Sequence, residues 1–290
     1  MKEGLKNMSM YLMNDRFVKD DEVSISIEDR GYYFGDGVYE VIRVYGGVMF
    51  TAEEHIGRLY ESAAKIKMQL PYGQEEMIGN LTRLVADNGV KEGHVYIQAT
   101  RGAAPRVHQF PGEAITPVVT AYTKSYPDHA PAAEPAKLKS VADIRWLRCD
   151  IKSLNLLANV MAKQEASEAG CYEALLHRNG TVTEGSSSNL FGVKDGVIHT
   201  HPVSNFILNG ITRRVIMQCC EELGQPVKEE PMALEDVYSM DEFFLSSTTN
   251  GILPVSEIDG RKIGDGRPGP VTERLMEAFE AKLPEPIATR

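Results

Sequence analysis

The sequence predicts a mixed α/β chain of two domains. Three observations carry this. Strand-like and helix-like periodicities alternate along the whole length, a proline- and alanine-rich stretch interrupts them near the middle, and 290 residues with 42% hydrophobic content suffice for two medium-sized cores.

Taken in order, Met10 to Met13 is strand-like, Asn14-Asp15 is a turn, and Val23 to Ile27 carries apolar residues at every second position, so these segments read as a hairpin. A β-rich run from Val38 to Tyr45 turns at Gly46-Gly47 into Val48-Met49-Phe50, a second hairpin. Thr51 and Glu54 have capping-box spacing, and Ile56, Tyr60, Ala63 and Ile66 follow at helical intervals. A further helix is expected from Glu75 to Ala86, then strands at His94 to Thr100 and Val118 to Tyr122. Tyr126 to Ala136 holds three prolines and four alanines without apolar periodicity, which places a linker at 128–135 between domains 1–127 and 136–290. Beyond it the pattern predicts a strand at Ile144 to Leu147 and a helix from Ser153 to Ala169 stopped by Gly170. Strands at Tyr172 to His177 and Leu190 to Val193 are bounded by the turns Asn179-Gly180 and Asp195-Gly196. A helix after Asn209-Gly210, a strand at Phe243 to Leu245 and a helix from Thr272 to Ala281 complete the pattern.

Composition excludes several classes. A net charge of −10 with no basic tract argues against nucleic-acid binding. The apolar runs fall short of the roughly 20 residues a membrane helix needs, and Met1-Lys2-Glu3-Gly4 opens no apolar signal segment, so an unexported, soluble chain is expected. Four cysteines without C-x-x-C spacing suit a reducing cytoplasm and give no metal site.

The chemistry concentrates in two stretches. Asp150-Ile151-Lys152-Ser153 puts a lysine where a strand-like pattern gives way to a helical one, and Thr183-Glu184-Gly185-Ser186-Ser187-Ser188-Asn189 follows with an acid and a hydroxyl-rich turn. Pyridoxal 5'-phosphate requires such a set: an amine for its aldehyde, a carboxylate for its pyridine nitrogen and a cradle for its phosphate. Alone, Lys152 would be a solvated surface lysine and Glu184 a surface glutamate after a hairpin. Their context argues otherwise, since Ser246 to Gly251 and the helix opening at Asn209-Gly210-Ile211-Thr212 add two more places where an anion could sit. Arg101 to Pro111 is a loop with two arginines and a histidine, suited to a substrate carboxylate or equally to plain solvation.

The blocks Asp29-Arg30-Gly31-Tyr32, Phe34-Gly35-Asp36-Gly37-Val38-Tyr39-Glu40, Glu54-His55-Ile56-x-Arg58-Leu59, Pro105 to Pro111, Arg145 to Asn155 and Thr183 to Asn189 span most of the chain. Through them it resembles the fold-type IV pyridoxal-phosphate enzymes. The Arg106-x-His108 loop resembles the branch acting on D-amino acids, whereas the first and last blocks are shared with branched-chain L-aminotransferases and aminodeoxychorismate lyase. The resemblance implies two α/β domains with pyridoxal phosphate in the interdomain cleft. It implies Lys152 as Schiff-base lysine and proton carrier, and Glu184 as partner of the pyridine nitrogen. It also implies Arg58, Ile211, Thr212 and Thr248 at the phosphate and Ser187 and Ser188 lining the cofactor site. Tyr39, Arg106 and His108 would trap the substrate carboxylate, the last two from the partner subunit of a homodimer. The implied activity is ping-pong transamination, D-alanine and 2-oxoglutarate giving pyruvate and D-glutamate. The alternatives are a branched-chain L-aminotransferase, then aminodeoxychorismate lyase, and, outside enzymes, a pyridoxal-phosphate carrier, against which the substrate-side groups argue.

Overall fold

The computed structural model describes residues 9–112, 115–127 and 134–285, so residues 128–133 of the expected linker lie outside the described residues. The chain divides into two compact units. One comprises 1–129 with Lys152–Asn155 and Pro284–Arg290, the other Ala130–Ile151 with Leu156–Leu283.

The first unit contains β1 (Met10–Met13), β2 (Arg16–Lys19), α1 (Arg30–Phe34), β3 (Gly37–Tyr45), β4 (Val48–Met49), α2 (Ala52–Lys65), α3 (Gln74–Asp87), β5 (Gly93–Thr100) and β6 (Val118–Ser125). Its six-stranded sheet runs β2-β1-β6-β5-β3-β4. Strict alternation along β3 sends Val38, Glu40, Ile42 and Val44 into the buried layer and leaves Tyr39, Val41, Arg43 and Tyr45 half-buried. On β5 the alternation repeats, with Val95, Ile97 and Ala99 buried. The apolar stripes of α2 (Ile56, Leu59, Ala63) and α3 (Met77, Leu81, Leu84) are likewise buried.

Two expectations fail here for local reasons. The partner of β1 is Arg16–Lys19, in register Met10 with Lys19 and Met13 with Arg16, and not Val23 to Ile27. Asn14, at φ 56°, closes the turn so tightly that the next residues pair at once. The alternation at 23–27 then has no face to bury, and Ile25 and Ile27 remain 45% and 76% exposed. The capping box at Thr51 does not form either: this N-cap residue sits at φ 53° and its side chain makes no capping bond, its hydroxyl donating to the Phe50 carbonyl at 2.7 Å. Glu53 and Glu54 in the first turn instead complement the helix dipole.

The second unit contains β7 (Ala136–Ala142), α4 (Leu157–Glu168), β8 (Glu173–Arg178), β9 (Thr181–Gly185), β10 (Asn189–Lys194), β11 (Val197–Thr200), α5 (Ile211–Leu223), β12 (Val227–Glu229), β13 (Met232–Ala233), α6 (Leu234–Val237), β14 (Glu242–Ser247), β15 (Gly251–Ile258), β16 (Arg261–Lys262) and α7 (Pro270–Glu280). Nine strands run β12-β11-β10-β14-β15-β7-β8-β9-β13, and β16 joins β15 as the tenth. Leu138, Leu175, Val182, Leu190, Phe243, Leu245 and Val255 form its main core. Alanines 162, 166 and 174 with Val141 and Leu176 form a smaller one where α4 lies on β7 and β8. Asn179 (φ 48°) with Gly180 and Asp195 (φ 49°) with Gly196 make the expected hairpin turns.

No strand forms at Ile144 to Leu147; β7 ends at Ala142. Ile144 and Leu147 are 66% and 60% exposed, and the segment is set by Arg145, whose side chain turns inward to two carboxylates. The helix expected from Ser153 begins at Leu157. Lys152 to Leu154 are instead taken by the first unit's sheet: Ser153 bridges Val38, the Leu154 N–H donates to the Gly37 carbonyl at 3.0 Å, and the Tyr39 N–H donates to the Lys152 carbonyl at 3.0 Å.

Gly37 permits that junction, because a Cβ there would lie 2.6 Å from the Ala99 carbonyl oxygen and 2.7 Å from Leu154 Cδ1. Gly37→Ala should therefore cost about 2 kcal/mol in urea unfolding and displace the lysine-bearing segment, with activity falling more steeply than stability. Unchanged stability and activity would show that this contact yields freely.

Candidate active site

In the first unit the alternation of β3 sets two groups back to back. Tyr39, on one face, carries Lys152 Nζ 4.4 Å from its ring centroid and stacks on Tyr96 at 5.7 Å, which stacks on Tyr122 at 5.1 Å. The Lys152 backbone N–H donates to Ser62 Oγ at 3.3 Å, so main chain and side chain of the lysine are both located. No carboxylate pairs with its ammonium among the described residues.

Glu40, on the other face, is fully buried and grips Arg58 with both oxygens, Nε at 2.6 Å and Nη2 at 2.8 Å. His55 Nδ1 lies 2.8 Å from Glu40 Oε2, which puts the proton on that nitrogen, since an ionised carboxylate only accepts. Burial alone would raise the Glu40 pKa, but the Arg58 charge and the hydrogen bonds from Arg58 and His55 outweigh it and bring the carboxyl down to about 2. His55 is held below the ordinary imidazole range by burial, against the pull of Glu40, and stays neutral.

Arg106 and His108 gather elsewhere in this unit. Both are exposed, Arg106 5.2 Å over the Phe34 ring and His108 edge-on to it at 5.7 Å. Their loop is tied down by Arg30, which donates to the Val107 carbonyl at 2.7 Å and to Asp36 at 2.8 Å, and by Arg101, which joins the same Asp36 at 2.8 Å. Arg101 is thus structural, which leaves Arg106 as the loop's exposed arginine.

In the second unit Glu184 is 5% exposed, far from the solvated glutamate its local sequence would suggest. It accepts from Arg145 Nη1 at 2.6 Å, Asn189 Nδ2 at 3.1 Å and the Leu208 N–H at 3.0 Å. Burial raises its pKa above the ordinary carboxylate value, with the Arg145 charge and hydrogen bond opposing. Ser187 and Ser188 do not present their hydroxyls outward: with Ser186 they converge on buried Glu173, at 2.8 Å and 3.2 Å for Ser187 and Ser188. What that turn offers an anion is its backbone N–H groups.

Ile211 and Thr212 open α5 behind Gly210, an N-cap without a side chain, so the first-turn N–H groups have no capping partner. A Cβ on Gly210 would lie 2.3 Å from Asn189 Oδ1. Ser246 Oγ, on the residue paired with Asn189, is buried with no hydrogen-bond partner, and half-buried Thr248 follows in the turn after β14. The first unit thus offers an amine without a carboxylate partner among the described residues, and the second offers a buried carboxylate with lone-pair capacity left, an uncapped helix N-terminus and an orphaned hydroxyl; each is a kind of group that pyridoxal phosphate needs, so the residues of each unit fit it.

Glu40, His55, Ser62, Asp143, Arg145 and Glu173 carry this geometry without having been assigned a role from sequence. The signal was present for two of them: Glu40 falls on the apolar face between Val38 and Ile42, and Glu173 precedes the run Ala174-Leu175-Leu176, positions where a charge requires a buried partner.

The family described as Amino-transferase class IV matches residues 37–258, and the chain belongs to it. The D-alanine aminotransferase of Bacillus licheniformis is 50% identical over 275 residues, covering 94% of this chain and 96% of that protein. That of Staphylococcus epidermidis is 49% identical over 274 residues, 94% and 97% of the two chains. Among solved structures, a branched-chain amino acid aminotransferase with pyridoxamine 5'-phosphate superposes with a TM-score of 0.88 at 31% identity over 96% of each chain. The branched-chain amino acid aminotransferase from Escherichia coli does so at 0.87 and 27% over 94% of each. The fold is therefore the expected α/β fold-type IV, the enzyme is an aminotransferase for amino acids and 2-oxo acids, and its cofactor is pyridoxal phosphate.

The Glu40 cluster has a pH signature. A folded-state carboxyl lowered from 4.5 to about 2 contributes stability that is complete above pH 4.5 and lost as pH falls towards 2. Glu40→Gln should destabilise the protein by about 3 kcal/mol at pH 7, and the difference from the parent should shrink as pH falls below 4. Urea melts of both proteins across pH check this, and a difference independent of pH would contradict the ionised pair.

Proposed function

We propose that the chain transfers the amino group of D-amino acids, D-alanine foremost, to 2-oxoglutarate, giving pyruvate and D-glutamate in a ping-pong cycle. The observation that carries this reading is the 50% identity, over 94% of the chain, to a D-alanine aminotransferase, together with an exposed Arg106 and His108 on a loop tethered by Arg30.

Each residue has its own task. Bound pyridoxal phosphate supplies the aldehyde that takes up the amino group and the ring that accepts the electrons left when the α-proton departs. Lys152 would hold the cofactor through its ε-amine, and the same amine would serve to move the substrate's α-proton. Lying over Tyr39 without a carboxylate partner among the described residues, the amine meets no ion pair there that must break first. Glu184 would hold the cofactor at its pyridine nitrogen. The N–H groups of Ile211 and Thr212 with Arg58 and Thr248 hold the phosphate, and Ser187 and Ser188 line the cofactor with their peptide groups. Arg58 is fixed for this by Glu40 and His55, which leaves the guanidinium no freedom to swing. Tyr39, Arg106 and His108 fix the substrate carboxylate and so decide which enantiomer turns its Cα–H to Lys152.

The protein is further proposed to act as a homodimer in the cytoplasm, with Arg106 and His108 serving the partner's substrate. Their exposure and their packing on Phe34 support the first point. Four free cysteines, three of them buried, support the second. No helix among the described residues is long and apolar enough to cross a membrane.

Transfer from D-alanine to 2-oxoglutarate should be much faster than from L-alanine, and Arg106→Ala should lower kcat/KM by about 2 to 4 kcal/mol in barrier. Faster transfer from L-leucine or L-valine than from any D-amino acid would move the chain to the branched-chain reading. Mixing inactive Lys152→Ala with Arg106→Ala should restore activity once subunits exchange, because one hybrid site then holds both groups. No recovery after demonstrated exchange would exclude sites built from two chains.

A further inference from the structure

Glu184 does not stand alone in its unit; it ends a chain of buried charges. Arg145 gives one nitrogen to Glu184, Nη1 to Oε1 at 2.6 Å, and its other edge to Asp143, Nε to Oδ1 and Nη2 to Oδ2 both at 2.9 Å. The Arg145 side chain is 7% exposed, that of Asp143 0% and that of Glu184 6%. Asp143 in turn accepts from Arg178 at 3.1 Å and 3.3 Å and from Thr183 Oγ1 at 3.0 Å. Two carboxylates and two guanidiniums close the cluster at zero net charge.

We propose that Arg145 and Asp143 are positioning residues that together set the proton affinity of Glu184, Arg145 holding the carboxylate ionised and Asp143 limiting that pull by sharing the same guanidinium. The inference rests on the reading of Glu184 as partner of the pyridine nitrogen.

The physical requirement is a window. A buried carboxylate without a countercharge takes up a proton and becomes neutral, and a neutral acid cannot stabilise a protonated ring nitrogen. A carboxylate paired with an undivided guanidinium is held strongly ionised but is too weak a base to keep that ring proton in place. Glu184 lies between these limits. Burial and the Asp143 charge raise its pKa, the Arg145 charge and hydrogen bond and the Leu208 N–H lower it, and the balance stays above the ordinary value. The groups that face it are Arg145, Asp143, the Asn189 amide, the Leu208 N–H and the Cys149 thiol, with Arg178 acting through Asp143. Asp143 stays ionised: burial would raise its carboxyl, and the bonds from Arg145 bring it below the usual range. Geometry leaves room for the ligand as well. Three donors occupy two carboxylate oxygens with about four lone-pair sites, so one position on Glu184 is available.

The test is a titration of Glu184 in the full-length, cofactor-free protein labelled with carboxyl-13C glutamate, the signal identified by its loss in Glu184→Gln. Arg145→Met should raise the titration midpoint by about tenfold in proton affinity or more, Asp143→Asn should lower it, and Arg145→Lys should return it towards the parent value. In the loaded enzyme, Arg145→Met should lower kcat about tenfold near pH 7 with little change in KM for D-alanine, and Arg145→Lys should recover most of it. If Arg145→Met does not fold, Asp143→Asn alone decides the sign. A Glu184 midpoint that stays put in both variants, even with lost thermal stability, overturns the proposal and leaves the cluster as structural packing. Shifted midpoints combined with normal turnover of Glu184→Gln would instead remove the reading of Glu184 while the tuning by Arg145 and Asp143 stood.

Discussion

Each unit of this chain is organised around buried arginines held by carboxylates. Glu40 and His55 fix Arg58, Asp36 fixes Arg30 and Arg101 together, and Asp143 with Glu184 fixes Arg145. A guanidinium presents its donors in a rigid planar fork, so gripping two edges determines where the whole side chain lies. The cost is desolvation, and it is tolerable only because every charge meets its opposite within hydrogen-bond distance. Loops as different as 101–112 and 143–149 owe their course to these pairs, since neither contains helix or strand.

Side chain and backbone divide the remaining polar work. Ser186, Ser187 and Ser188 turn their hydroxyls inward to Glu173, while α5 begins with a residue that has no side chain at all. Asn189 links the two by donating to Glu184 and to the Leu208 carbonyl, leaving no room for a Cβ at Gly210. With those serine hydroxyls committed to Glu173, what the region leaves open is the backbone at the start of α5, whose direction the fold dictates, and the buried Ser246 hydroxyl.

Much of this was legible in the sequence because period-two and period-3.6 patterns dictate burial directly. The strand of Tyr39 and the helices of Arg58 and Ile211 fall where periodicity predicts them. What was not legible depends on contacts distant along the chain. The alternation of Val23 to Ile27 is indistinguishable from a strand until the tighter Asn14-Asp15 turn takes the partner first. Ile144 to Leu147 has strand-like composition, but Arg145 needs Asp143 and Glu184 and so draws the backbone out of any ladder. The helix expected at Ser153 loses Ser153 and Leu154 to a bridge with Val38 and a hydrogen bond with Gly37, more than a hundred positions away. Lys152 and Glu184 could be singled out from residue type and neighbours, whereas the groups that hold them, Ser62 and Arg145, could not, since nothing local marks a supporting residue.

The chain contains one tryptophan, and the fold puts it beside the Arg145 cluster. Trp146 follows Arg145 directly, its carbonyl accepts from Arg178 at 3.0 Å and from the Cys149 thiol at 3.3 Å, and the residue is 45% exposed. An indole in that position shares its backbone with the charged network while its chromophore remains open to solvent. The protein thus carries an intrinsic fluorophore attached to the segment that supports Glu184, with no second tryptophan to dilute its emission. Changes in that segment become visible as light from a single known site.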